Sequence, residues 1–111
     1  MSQRERIRVA VVGGLSRAGG QWSRAGAAIG VDLVHHDGQT RGGRSKGIIA
    51  AVRRADVVVI ITDPNSHAGV AVARRAALSA ARPHVLVKHL RPDGLGAVLD
   101  EALAAARAPH P

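Results

Sequence analysis

The chain has no cysteine, phenylalanine or tyrosine, and Trp22 stands alone among the large aromatics. Without thiols, disulfides, thiolate metal centres, iron–sulfur clusters and cysteine nucleophiles are all excluded. Without rings, the interior must be filled by Val, Ile, Leu and Ala, whose branched members favour strands. Such side chains bury little apolar area per residue, which predicts a further face closed in a homodimer. No apolar run approaches membrane-spanning length, and the amino end MSQRERIRVAVV reaches no long apolar segment. The expectation is a soluble cytoplasmic protein with no membrane attachment.

Acidic residues are also scarce, eight against sixteen Lys and Arg, for a formal charge of +8. Clustered cations would suggest phosphate-backbone binding, but these are spread along the chain and no aromatic platforms accompany them. Nucleic acid is therefore not the expected partner. At 111 residues the sequence fits one domain, read as 1–108, with Pro109-His110-Pro111 a loose tail.

Ile7 to Val12 is a β-branched apolar run closed by Gly13-Gly14, the pattern of a strand covered on both faces. A helix capped by Ser16 runs to about Ile29 and ends at Gly30. Val31 to His35 reads as a second strand, broken by Asp37-Gly38, and Lys46 to Arg54 as a short helix in which Ile48, Ile49 and Val52 recur at helical spacing. Asp56 to Thr62 holds five consecutive branched residues, a central strand. Asn65 is the expected cap of a helix to about Ala81, with Val70, Ala73, Ala77 and Leu78 inward. His84 to Val87 is a fourth strand and Leu95 to Ala106 a last helix. This alternation predicts a small Rossmann-like or flavodoxin-like three-layer α/β fold, a parallel sheet of about four strands in order 2-1-3-4.

In a parallel sheet the segments after each strand share one edge. They read Gly13-Gly14-Leu15-Ser16-Arg17, His35-His36-Asp37-Gly38, Asp63-Pro64-Asn65-Ser66-His67 and Lys88-His89-Leu90-Arg91. Four of the six histidines fall on that edge. Neighbours in a strand point to opposite sides, so one of His35 and His36 is structural and His36, next to the Asp37-Gly38 turn, is taken as the ligand group. His67 stands at a helix start, where the positive dipole end favours the neutral imidazole that a metal needs. Gly13-Gly14 permits close approach of backbone to a ligand without completing a dinucleotide-binding pattern. Arg17, Arg41, Arg44, Lys88 and Arg91 are placed to neutralise phosphates or carboxylates. Asp56, at the start of its strand, lies at the other edge, while Asp63 orients a histidine or serves a turn.

Val12-Gly13-Gly14, His35-His36-Asp37-Gly38, Ala55-Asp56-Val57-Val58-Val59 and Ser66-His67, in this order and spacing, resemble the bacterial domain-of-unknown-function family 2325. The resemblance spans nearly the whole chain. It implies a small α/β fold that binds haem, with dioxygen as a further ligand, and carries over Gly13, Gly14, His36, Asp37, Gly38, Ser66 and His67. Two departures stand out: Leu15 replaces an arginine expected after the glycine pair, and Asp63-Pro64-Asn65 replaces a segment in which cysteines are common. The leading expectation is haem b held by His36 or His67, with Arg17, Asn65 and Trp22 nearby, arginines facing the propionates and a dimer closing the pocket. Two rivals stay open. One is an enzyme with a mononuclear metal on His36, His67 and a carboxylate. The other is a signalling module for nucleotides or phosphorylated small molecules.

Overall fold

In a computed structural model of the chain, residues 6–14 and 19–107 are described. The strands are β1 (Arg8–Val12), β2 (Asp32–His36), β3 (Val57–Ile61) and β4 (His84–Val87). The helices are α1 (Gly19–Ala28), α2 (Ser45–Arg54), α3 (His67–Ser79) and α4 (Leu95–Arg107). All strand pairs are parallel, in the order β2-β1-β3-β4. The expected three-layer α/β fold and strand order are therefore present. Among the described residues no helix is long and apolar enough to cross a membrane.

Strand alternation divides the core between the two faces of the sheet. Val9, Val11, Val57, Val59 and Ile61 point to one side, where they meet Trp22 of α1 and Leu95, Leu99 and Ala102 of α4. Ala10, Val12, Val58 and Ile60 point to the other, against Ile48 and Val52 of α2 and Ala73, Ala76 and Ala77 of α3. All five residues of β3 are buried, as a central strand of unbroken branched residues should be.

Several local expectations are corrected. Asn65 does not cap α3; Ser66 does, its hydroxyl accepting from the Gly69 N–H at 2.8 Å. Leu78, expected inward, is 65% exposed, and Ile49 of α2 is 38% exposed. The reason is coverage. α3 packs on β1, β3 and α2, so the same face of the edge strands is left partly bare, with Val34 on β2 and Leu86 on β4 exposed. β2 also begins and ends one residue later than its β-branched pattern implied, which brings His36 into the strand. Ser16, the expected cap of α1, lies outside the described residues.

Candidate functional site

The carboxyl ends of β1, β2 and β3 are joined by one hydrogen-bonded network. The Gly13 N–H donates to the His36 carbonyl at 2.7 Å, and the Gly14 N–H to the Pro64 carbonyl at 2.8 Å across the cis Asp63–Pro64 peptide. Asn65 sits at the centre. Its Nδ2 donates to the Ile61 carbonyl at 2.7 Å and leans on that of Val12 at 3.4 Å, while its Oδ1 accepts from the Ser66 N–H at 2.7 Å. The Ser66 hydroxyl donates to the Gly38 carbonyl at 3.0 Å, tying the start of α3 to the loop after β2.

These bonds explain the glycines. Gly13 has φ +111°, and a Cβ there would strike the Ile61 carbonyl and lie 2.7 Å from Asn65 Nδ2. Gly38 has φ +89°, and a Cβ would overlap Asn65 Oδ1. At Gly13 and Gly38 the backbone is bare because the strand ends crowd against Asn65. Thus Gly13, Gly38, Asn65 and Ser66, expected among the cofactor contacts, are brought together and bond to one another and to His35, His36, Val12 and Ile61.

The edge histidines differ in what their ring nitrogens are free to do. His35 Nε2 lies 2.6 Å from the Gly13 carbonyl, which can only accept, so Nε2 carries the proton and Nδ1 keeps the lone pair. Its ring stacks on Trp22, with centroids 6.0 Å apart. His36 is the reverse: Nδ1 accepts from the Gly38 N–H at 2.9 Å, which puts the proton on Nε2 and makes that atom a donor. Asp37 Oδ1 is 3.7 Å from the same Nδ1, but a nitrogen accepting from Gly38 cannot also donate to a carboxylate. Asp37 instead accepts from the Gln39 N–H at 3.0 Å. His89 Nδ1 is 3.2 Å from the Asp63 carbonyl, and its Nε2 is 3.9 Å from the Asp63 carboxylate. His67, exposed at the first position of α3, has no hydrogen bond or ion pair among the described residues.

A neutral imidazole has one lone pair, and a metal takes it. His36 cannot ligate through Nε2 without giving up its bond to Gly38, whereas His67 can ligate through either nitrogen. Sequence reasoning passed over His35, whose carbonyl-fixed ring is of the kind that orients metal ligands. The signal available was its position on the face that also carries Trp22. Trp22 itself is 2% exposed, a core residue that reaches the edge at His35 and Gly14. Arg17 lies outside the described residues.

Beside this network lies an open cleft of about 470 Å3, lined by His35, His36, Asp37, Gly43, Arg44 and Gly47. Donors dominate it. His36 Nε2 comes within 3.3 Å of where a Cβ on Gly47 would be, and Arg44, exposed, stands 3.9 Å from the Asp37 carboxylate at the start of α2. The first turn of α2 has no side-chain cap, so its N–H groups add to the positive end. Among the described residues no three His, Asp or Glu side chains are grouped to hold a metal ion, so the mononuclear metal reading finds no ligand set here.

Fold and site define a small parallel α/β protein whose ligand edge combines a closed backbone network with an open, donor-rich cleft. The chain belongs to the bacterial domain-of-unknown-function family 2325, described as uncharacterized proteins conserved in bacteria, whose model matches residues 8–101. No curated protein and no solved structure matches it.

Proposed function

We propose that the carboxyl edge of the sheet binds haem, with His67 as the axial ligand and Arg44 and the His36 Nε2–H facing the propionates. The observation that carries this is the division of labour among the histidines: His67 alone on that edge has no ring nitrogen engaged by a described residue. Ser66 ties the start of α3 to Gly38, in the loop that follows His36. Haem needs only one protein imidazole, so an edge without three grouped ligands still suffices. Haem held there by His67 would supply an iron able to take a small gas such as dioxygen, and the function inferred is gas binding or sensing in the cytoplasm.

The cleft is open, so a second wall is needed. A homodimer supplies it, closing over the edge of β2, where Val34 stands 57% exposed beside a groove of about 390 Å3 that includes Val9, Ala50 and Ala51. Haemin added to the purified protein should give a saturable Soret band, with the dimer seen by light scattering. His67→Ala should abolish or shift the band and His36→Ala should leave the iron coordination unchanged. An unaltered spectrum in His67→Ala removes the proposal.

A second reading is favoured by one observation, the concentration of donors in the cleft. Arg44, the His36 Nε2–H and the uncapped α2 N-terminus also suit a phosphorylated small molecule. A thermal-shift screen with nucleotides and sugar phosphates tests it, since a ligand bound by the folded state raises Tm. A response to phosphates that Arg44→Ala removes, without a haemin spectrum, would select this reading.

A further inference from the structure

The two helical layers carry different charge. α2 and α3 hold Lys46, Arg53, Arg54, Arg74 and Arg75 and no acidic residue, whereas α4 carries Asp100 and Glu101. All five cations are exposed, and none pairs with a carboxylate among the described residues. Between these two helices runs a groove of about 450 Å3, with Ile49, Ala68, Ala71 and Val72 in its lining and Arg75 beside them. It continues past Ile49 towards Arg53 and Arg82, where Arg82 donates to the Arg53 carbonyl at 2.9 Å. An apolar floor of small side chains edged by Arg53, Arg75 and Arg82 is therefore left open on the side of the molecule away from Trp22.

We infer that this face docks an acidic amphipathic helix of a partner protein. Small residues at positions 68 and 71 leave room for a ridge of larger apolar side chains, the helix-in-groove mode of recognition. Carboxylates flanking that ridge would meet Arg53, Arg75 and Arg82, and opposite fields of this kind speed encounter and fix orientation. A second copy does not suit this face, because it would bring Arg53, Arg75 and Arg82 against the same cations. Nucleic acid would use the cations but leave the apolar floor unfilled, and the one Trp is buried in the opposite layer.

The test uses the full chain and a labelled synthetic helical peptide with Leu at i, i+3, i+4 and i+7 and Glu elsewhere. Controls are the same peptide with Ser for Leu and a DNA duplex. The Leu–Glu peptide should bind saturably at physiological salt, with both controls about tenfold weaker or worse, the scale of losing a central anchor. Ile49→Glu and Arg75→Glu, both exposed positions, should each lower its affinity by about tenfold, while Leu86→Ser on β4 leaves it unchanged. Equal binding of the Ser control or the duplex would reduce the face to non-specific charge and overturn the inference. So would no binding at all, or a self-association that Ile49→Glu abolishes.

Discussion

The end of β1 and the cleft beside α2 lie on the same edge of one sheet, yet they are built in opposite ways. At the first, Gly13, Gly38, Asn65 and Ser66 are crowded together and their polar groups are satisfied within the network. At the second, Arg44 is 63% exposed in its side chain and held only by a long contact to Asp37; at the start of α3 the exposed His67 side chain likewise has no partner among the described residues. The lesson is that short polar motifs after strands have two uses that look alike in sequence. One closes the strand ends onto one another and makes the edge rigid; the other presents groups to a ligand.

Substitutions should separate the two regions, beginning with the largest effect. Gly38→Val places a branched side chain at φ +89° on top of Asn65 Oδ1, and should cost about 4 kcal/mol or prevent folding, as read by urea denaturation. Asn65→Leu removes the donor to Ile61 and the acceptor for Ser66 inside a packed network, and should cost about 2–3 kcal/mol in the same measurement. Ser66→Ala removes the cap of α3 and should cost about 1 kcal/mol, with faster amide exchange confined to the first turn of the helix. Arg44→Ala and His67→Ala should each change stability by no more than about 0.5 kcal/mol while weakening haemin binding. A large destabilisation from either of these last two would erase the contrast between the regions.

Much of the fold was legible because the signals were of the strongest kind. Five consecutive branched residues in β3 and the regular alternation of strand and helix leave little choice but a parallel sheet, and right-handed crossovers with helices on both faces fit the order 2-1-3-4. Less was legible about which residues stay free. Asn65 and Ser66 are both good caps by residue type, and only the approach of Gly38 and Ile61 decides that Asn65 braces the strand ends while Ser66 caps the helix. Leu78 carries an apolar side chain at helical spacing, but α3 lies over β1 and β3 and the residue falls outside the covered sheet. The choice between His35 and His36 could not be made from spacing, because it rests on hydrogen bonds to Gly13 and Gly38 made by backbone groups.

Those ring nitrogens can be read directly by long-range proton–nitrogen correlation spectra of the histidines, recorded before and during addition of haemin. Free protein should show His36 protonated on Nε2 with an accepting Nδ1, His35 also protonated on Nε2, and His67 with no fixed tautomer. As haemin is added, the His67 ring signals should broaden first while the Gly38 amide keeps its bond to His36. A His36 ring that releases Gly38 and broadens ahead of an unchanged His67 would contradict the account.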